Sequence, residues 1–328
     1  MQPLQLSSGD VVADRRAAYT EMLFEAGDLS AASDLMRETV ALAPAWVAGW
    51  FRLGEMLAQA DRPAEAADAW REALRLDPED RLGATLQLSL AGLAEGIDAP
   101  PPGFVEALFD QYAPDFDGSL LEKLEYCVPE LLTEAILRTE GGPFAHVLDL
   151  GCGTGLMGER LVRIASFVEG VDISAGMLKR AAARRIYGRL TKADLNLAEF
   201  PAGVDLVAAA DVFMYVGALD GIVPRIAAAL PPGGVFAFSV EHHPGGEDLM
   251  LRPSRRYAHS ETYLRRLLSE QRFEVLSLEK AAIRMDRGEP VDGLIVVARL
   301  SPGSSELKAQ ELAHAPSSPR PVSRPSGH

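Results

Sequence analysis

Two patterns of apolar and polar positions divide the chain into parts. Residues 14–98 are rich in alanine, leucine and charged side chains, and their apolar positions recur at the spacing of amphipathic helices. From 105 to 300, short apolar runs alternate with segments of helical spacing, which predicts a largely parallel α/β sheet. The remainder, 301–328, is rich in proline and serine and poor in apolar residues, so we predict that it is disordered.

Five apolar runs predict the parallel strands, and the segments between them predict helices. The strands are expected at 145–150, 168–172, 190–194, 204–211 and 234–241, and the helices near 156–165, 174–185 and 217–229. The last two apolar runs differ, because only the short turn 286–290 separates them. A turn of this length cannot hold a crossover helix, so these two strands are expected to be antiparallel.

The helical region repeats itself at an interval of 34 residues, with Pro44 recurring as Pro78. Its second copy resembles the tetratricopeptide repeat at the signature positions Trp50, Leu53, Gly54, Ala66, Trp70, Ala73 and Pro78. The first copy is weaker, since Arg16 stands where the aromatic residue is expected, and residues 81–95 resemble a capping helix. We therefore predict an all-α tetratricopeptide-repeat domain over 14–98.

The repeat region carries 8 basic and 16 acidic residues, a net charge of −8. One interpretation is a groove that binds a basic peptide partner. The other, which we prefer, is that these charges form the solvated outer faces of the helices.

A glycine-rich turn, VLDLGCGTGLMG at 147–158, directly follows the first predicted strand. Glycines there let the backbone approach a ligand closely and leave the N–H groups of the next helix free. In one register, Gly153, Gly155 and Gly158 match the dinucleotide fingerprint G-x-G-x-x-G, and Asp172 lies near the expected downstream acid.

The other register begins at an acid. Asp149, Gly151, Gly153 and Gly155, each separated by one residue, resemble motif I of the class I S-adenosylmethionine methyltransferases. A carboxylate two residues ahead of the turn repels a pyrophosphate but suits the ammonium and sulfonium groups of S-adenosylmethionine. The antiparallel pair of strands at the end of the chain supports the same resemblance, since in that family the seventh strand is inserted antiparallel beside the sixth. We therefore predict a Rossmann-like class I methyltransferase sheet of seven strands, the last antiparallel, with S-adenosylmethionine as cofactor.

The resemblance implies roles for further residues. Asp172, at the end of the second strand, is expected to accept both ribose hydroxyls, and Ile173 to pack on the adenine. Asp194 and Leu195, after the third strand, match the acid and the apolar residue that meet the adenine amino group. As alternatives, Asp149 and Asp172 could cap helices, and Asp194 could be an ordinary turn residue.

Two further segments, 108–132 and 255–268, resemble a bacterial family of repeat-containing predicted methyltransferases. In that family a helix closes over the cofactor, which implies that Tyr112 and Phe116, spaced four apart, cover it here. The simpler interpretation is that both are core residues of a helix.

Catalytic residues are less visible than the cofactor motif. Methyl transfer from a sulfonium needs positioning and, for an oxygen nucleophile, a base. Asp211 and Tyr215, after the fourth strand, are expected near the methyl group. His259 is the preferred base because imidazole titrates near neutral pH, although a surface histidine that caps the next helix is an equally good interpretation.

The end of the fifth predicted strand carries residue types that can bind a metal ion. Glu241, His242 and His243 follow one another there and, with His259, are candidate ligands. Because adjacent histidines on a strand point to opposite faces, we predict no metal site.

Composition and charge narrow the function classes. The 328-residue chain has a net charge of −15, which disfavours binding to a nucleic acid backbone. Its two cysteines favour neither a disulfide nor a zinc site. No apolar run is long enough to span a membrane and the start lacks a signal-peptide pattern, so we expect a cytoplasmic protein.

Together these patterns predict an S-adenosylmethionine-dependent methyltransferase whose acceptor is a small molecule or a protein side chain. Its amino-terminal repeats are expected to recruit the substrate or a partner. The alternative is a non-catalytic adaptor that acts through the repeats, while the methyltransferase fold only holds the cofactor or its product.

Overall fold

Five α-helices make up the described amino-terminal part of the molecule. The computed structural model describes residues 6–94, 96–118, 120 and 124–302. The helices of the amino-terminal part are α1 (Val11–Glu25), α2 (Leu29–Leu42), α3 (Val47–Gln59), α4 (Pro63–Leu76) and α5 (Ala84–Leu90). Each packs against the next, and their short connections make neighbouring helices antiparallel, as in a tetratricopeptide repeat.

Small residues let these helices approach closely. A Cβ added to Gly54 of α3 would lie 2.3 Å from Nε1 of Trp70 on α4, so this contact requires a glycine. Ala32 and Ala66, the equivalent small positions of the two copies, are fully buried. In the weaker copy, Arg16 pairs with Glu38 at the surface instead of filling the core.

The described helices of the second part alternate with strands. They are α6 (Pro102–Tyr112), α7 (Phe116–Gly118), α8 (Val128–Thr139), α9 (Gly158–Leu161), α10 (Ala175–Arg184), α11 (Ile222–Ala229) and α12 (Glu261–Glu270), with 3₁₀ turns at Ala113–Asp115 and Phe213–Tyr215. The helix predicted near 156–165 is short because β2 already begins at Ala165. The helix predicted at 217–229 starts only at Ile222, since Gly217 has φ +81° and follows a 3₁₀ turn.

Nine strands of the described residues form one sheet. They are β1 (Phe144–Leu150), β2 (Ala165–Asp172), β3 (Arg189–Lys192), β4 (Leu206–Ala209), β5 (Val235–His242), β6 (Leu249–Leu251), β7 (Tyr257–His259), β8 (Phe273–Asp286) and β9 (Glu289–Leu300). Seven of them run in the order β3-β2-β1-β4-β5-β9-β8, and the first five of these are parallel. The last strand, β9, is antiparallel to both β5 and β8, as predicted.

The short strands β6 and β7 are additional to the seven predicted strands. They form an antiparallel hairpin, and β7 pairs in parallel with the end of β5 through Glu241–Ala258 and His242–His259. The sequence predicts the start of a helix near His259, whereas the structure has β7 there and the helix, α12, begins at Glu261. The hairpin extends the sheet at the carboxyl end of β5.

Helices cover both faces of the sheet. Strands β4 and β5 are buried along their whole length, which explains their continuous apolar sequences. α8 packs on one face through Val128 and Leu132, and α11 and α12 pack on the other through residues such as Ile226 and Leu264. The carboxyl ends of the parallel strands therefore meet at a single edge, where open α/β sheets bind ligands.

None of the helices that the structure describes is both long and apolar enough to cross a membrane. The tail predicted to be disordered lies, from residue 303 onward, outside the described residues. The domain boundaries at 14–98 and 105–300 stay predictions.

Candidate functional site

A cavity of about 350 Å³ opens at the carboxyl ends of the parallel strands, beneath α6. Its volume is in the range of small-molecule and cofactor sites. Most of the residues predicted from the sequence line it: Tyr112, Gly151, Gly153, Asp172, Ile173, Asp194, Leu195, Asp211 and Tyr215. The structure does not bring Asp149, Gly155 or His259 to the cavity wall.

The glycine turn forms one wall because its backbone conformation requires glycine. Gly151 has φ +61°, and a Cβ there would lie 2.6 Å from a methyl carbon of Val212. Gly153 has φ +54°, and a Cβ on it would contact Phe116 at 3.9 Å across the cavity. The turn therefore presents bare backbone to whatever occupies the space.

Asp172, at the end of β2, organises this wall. It is 7% exposed, and its carboxylate accepts the N–H of Gly153 and the N–H of Ser174, both at 2.8 Å. Each carboxylate oxygen has a second lone pair, so the group can accept further donors from the cavity. Burial raises the pKa of Asp172 to about 6, and the backbone hydrogen bonds only partly oppose that rise.

Asp149 lies behind the glycine turn, which corrects its predicted place at the cavity wall. It is 1% exposed, and Tyr187 donates to its Oδ2 at 2.6 Å. Its Oδ1 has no hydrogen-bond partner within the described residues. Burial raises the pKa of Asp149 to about 7, the bond from Tyr187 opposes the rise, and the charge of Asp172 adds to it.

Two other glycines of the turn pack inward. Gly155, at φ +100°, has Arg184 Cδ at 2.9 Å from an added Cβ, so it supports the turn without reaching the cavity. A Cβ on Gly158 would lie 2.3 Å from the Tyr187 hydroxyl. Gly158 thus leaves room for the tyrosine that holds Asp149. Tyr187 was not predicted from the sequence, because its partner Asp149 lies 38 residues away.

α6 covers the cavity and is tied to the strand ends. Asp110 accepts the Ser174 hydroxyl at 2.5 Å and the Gly176 N–H at 3.0 Å, which fixes α6 against the start of α10. Phe109 packs edge-on against Tyr215 at 4.9 Å between ring centroids. Tyr112 lines the cavity but is more than half exposed, so it lies at the rim and not in a core.

The wall beyond β4 is charged. Asp211 has φ +59°, and both its carboxylate oxygens accept from Nη1 of Arg284 at 2.6 Å. Arg284 is 4% exposed and also pairs with Glu241, which is 1% exposed. Arg256 reaches the same Glu241 at 2.9 Å. Asp211 therefore belongs to a buried ion-pair cluster, which the sequence analysis did not foresee.

Tyr215 stays protonated in this setting. Burial raises its pKa, and the positive charges of Arg256 and Arg284 only partly counter that rise. Its phenol is therefore a poor base.

The structure corrects the role predicted for His259. This residue lies in β7, it is 0% exposed, and its Nε2 is 2.7 Å from the carbonyl oxygen of Gly217. Burial lowers its pKa to about 4, so the imidazole is neutral and enclosed in protein. The cap of α12 is the neighbouring Ser260. His259 is neither a base facing the cavity nor a surface histidine.

Glu241 binds arginines, and His243 contacts Glu247 at 2.9 Å. Across the described ranges, no group of three or more His, Cys, Asp or Glu side chains is arranged to hold a metal ion.

Family comparisons match both parts of the chain. Residues 147–234 match the family model of a methyltransferase domain, and residues 47–80 match that of a tetratricopeptide repeat. Methyltransferase-like protein 27 from Homo sapiens is 36% identical over 142 residues, which are 40% of this chain and 55% of that protein. A trans-aconitate 2-methyltransferase from Paracidovorax citrulli is 34% identical over 133 residues, which are 38% of this chain and 50% of that protein. The chain thus spans about half the length of these curated relatives.

A solved structure extends the likeness over more of the fold. The 1,6-didemethyltoxoflavin-N1-methyltransferase of Burkholderia thailandensis, solved with 1,6-didemethyltoxoflavin and S-adenosylhomocysteine, is 20% identical, with a TM-score of 0.50. The match covers 64% of this chain and 94% of that one, and it shows the fold alone. The predicted fold class is confirmed: residues 147–234 match a methyltransferase domain, the sheet has the class I methyltransferase fold, and a tetratricopeptide repeat precedes it.

Proposed function

We propose that this protein transfers a methyl group from S-adenosylmethionine to an acceptor bound in the cavity above the strand ends. The observation that carries the proposal is the geometry of Asp172. Its buried carboxylate ties the glycine turn to the start of α10 and still faces the cavity of a class I methyltransferase fold. When bound, S-adenosylmethionine supplies an activated methyl group, and the protein supplies position and electrostatics.

The residues of the cavity fit the parts of this cofactor. Asp172 has lone pairs left for the ribose hydroxyls, and Ile173 and Leu195 supply apolar surface for the adenine. Asp194 already accepts the N–H of Asn196 at 2.9 Å through one oxygen, so its side chain is held in place for the adenine amino group. Gly153 leaves space beside the turn for the methionine part, because the nearest side chain, that of Phe116, lies 3.9 Å from an added Cβ.

The charge of the wall favours a cation over a pyrophosphate. Asp149 and Asp172 are both buried, and no arginine, lysine or histidine of the described residues forms an ion pair with either. The oxygen of Asp149 without a partner adds to this unbalanced negative potential. A diphosphate at the turn would meet two carboxylates, whereas the ammonium and sulfonium groups would neutralise them.

Asp149 and Asp172 also predict that the affinity for the cofactor depends on pH. Burial raises the pKa of Asp149 to about 7 and that of Asp172 to about 6, so both are partly protonated just below neutral pH without ligand. A cationic cofactor lowers both pKa values, so binding releases protons, and affinity for S-adenosylmethionine should rise up to about tenfold between about pH 6 and pH 7.5. Calorimetry in buffers of different ionisation enthalpy measures the release.

The matched variant for this measurement is Asp149→Asn, which removes one titrating group without changing its shape. We expect it to release fewer protons and to flatten the dependence on pH. Affinity that falls as the pH rises over this range would contradict the assignment, because the raised pKa values require the opposite sign.

For the acceptor, we favour a small organic molecule over a protein side chain. The cavity is enclosed by α6, and one curated relative is named for a small acceptor, trans-aconitate. We propose that the repeats recruit a partner or the substrate. In the wall, the Tyr215 phenol can orient the acceptor by donating a hydrogen bond, while Asp211 is engaged by Arg284.

A second function, a non-catalytic adaptor, is favoured by one specific observation. Both oxygens of Asp211 accept from Arg284 and His259 lies outside the cavity, so neither predicted base is free to take a proton from an acceptor. An acceptor that needs no base, such as a carboxylate, is compatible with methyl transfer in such a cavity.

Calorimetry and turnover separate these functions. We expect the full chain to bind S-adenosylmethionine and S-adenosylhomocysteine and not NAD, and to label an acceptor when small-molecule and protein fractions of a cell extract are given a labelled methyl donor. Cofactor binding with no labelled product in either fraction would favour the adaptor. Preferential binding of NAD would refute both.

A further inference from the structure

The β6–β7 hairpin brings two arginines to the cavity. Its loop, residues 252–256, reads RPSRR, and Ser254, Arg255 and Arg256 line the cavity wall. The loop is closed by hydrogen bonds between the backbones of Arg252 and Arg255 and of Arg252 and Arg256. Arg255 has φ +62°, a conformation uncommon for a residue with a side chain, so the fold holds this arginine at some cost.

Contacts from other parts of the chain position the Arg255 side chain. Its Nη1 donates to the carbonyl oxygen of Leu82 at 3.1 Å, in the turn before α5 of the repeat region. Its guanidinium lies over the ring of Phe104 on α6, 5.0 Å from the ring centroid. These contacts leave most of its N–H donors available. The repeat region therefore contributes directly to the placement of a cavity residue.

The charges around the hairpin do not cancel. Three arginines form ion pairs with three carboxylates there: Arg252, Arg256 and Arg284 with Asp211, Glu241 and Asp286. Arg255 has no carboxylate partner among the ion pairs of the described residues, so it adds one positive charge to a balanced cluster. A guanidinium in this position favours a planar anion that can accept two parallel hydrogen bonds.

The two sides of the cavity have opposite character. In the order of the sheet, Asp172 follows β2 and Asp194 follows β3, on one side of β1. Arg255 and Arg256 precede β7, which pairs with the carboxyl end of β5 on the other side of β1. A cationic cofactor suits the first side and leaves the second side to the acceptor.

We propose that Arg255 is a specificity-determining residue that binds a carboxylate group of a small organic acid acceptor. This inference rests on the proposed function, and it names the substrate class of the same cavity. Apolar and aromatic residues that line the same cavity, among them Tyr215 and Phe104, which lies beside Arg255, take the carbon skeleton of the acid. The turn at Leu82 holds the guanidinium, so the repeat region is part of the acceptor site.

The test uses the full chain loaded with S-adenosylhomocysteine and three matched probes: 3-phenylpropionate, its uncharged amide, and phenyl phosphate. Calorimetry should show binding of the carboxylate and about tenfold weaker binding of the amide. In Arg255→Met, which keeps an apolar chain over Phe104, carboxylate binding should fall about tenfold or more, and in Arg255→Lys by a smaller factor. Arg138→Met, at an exposed ion pair with Glu279, is the control and should change nothing.

Several other results would overturn the proposal. If Arg255→Met weakens S-adenosylhomocysteine and leaves the carboxylate probe unchanged, Arg255 holds the carboxylate of the cofactor. Tighter binding of phenyl phosphate than of 3-phenylpropionate would assign the site to phosphorylated acceptors, and equal binding of acid and amide, or no binding of the acid, would exclude anion recognition. Failure of the wild-type chain to bind S-adenosylhomocysteine would refute the proposed function instead.

Discussion

We expect the Asp172→Ala variant to bind S-adenosylhomocysteine at least about 100-fold more weakly than the wild-type chain. The proposed ribose contacts are hydrogen bonds to a charged acceptor, each worth about 1.5–3 kcal/mol, so losing two of them costs more than a factor of 100. The variant also frees the N–H groups of Gly153 and Ser174, which loosens the glycine turn. Calorimetry at about pH 7.5 measures the affinity, since Asp172 is then mostly ionised.

Asp205→Ala is the matched control for this variant. Asp205 also accepts two backbone N–H groups, those of Ala145 and His146, at 2.7 and 3.0 Å, but it lies at the opposite edge of the sheet. We expect both variants to lose stability and only Asp172→Ala to lose cofactor affinity. An unchanged affinity in Asp172→Ala, or an equal loss in both, would contradict the assigned contact.

The cofactor side of the cavity could be predicted because its determinants are local in sequence. A strand followed by glycines at alternate positions shows where the chain turns, and acids directly after β2 and β3 must come to the same edge in a parallel sheet. Asp172, Ile173, Asp194 and Leu195 all line the cavity for this reason. The burial of Asp149 behind the turn could not be predicted in this way, since it depends on Tyr187, which comes from a later part of the chain.

The acceptor side depends on pairings that leave little trace in the sequence. Strands β6 and β7 have three residues each, too few to show alternation, and they form only by pairing with each other and with the end of β5. His259 therefore looked like the start of a helix, whereas β-pairing buries it. An isolated histidine carries no signal that separates these cases.

The buried ion-pair cluster was missed for a similar reason. Arg284 lies in a strand whose sequence mixes apolar and charged residues, and its partners Asp211 and Glu241 are 73 and 43 residues away. An arginine is usually at the surface, so the residue type alone predicts an exposed position for Arg284, which is wrong. Only the position of β8 beside β9, and of β9 beside β5, brings these three side chains together.

This cluster leads to a large expected effect on stability. We expect Arg284→Met to lower the free energy of unfolding by about 3–5 kcal/mol, because it removes the guanidinium that balances the negative charges of the buried Glu241 and of Asp211. Chemical denaturation followed by circular dichroism measures the change. By contrast, Arg138→Met at an exposed pair should cost no more than about 1 kcal/mol.

A second variant tests the electrostatic reason behind the loss. If unpaired negative charge destabilises Arg284→Met, then adding Glu241→Gln, which removes one of the charges, should restore part of the stability. If the loss instead came from the changed shape of the side chain, the second substitution would add its own cost. Glu241 also binds Arg252 and Arg256, so recovery is expected to be partial. A double variant less stable than Arg284→Met would show that packing, and not charge, dominates at this position.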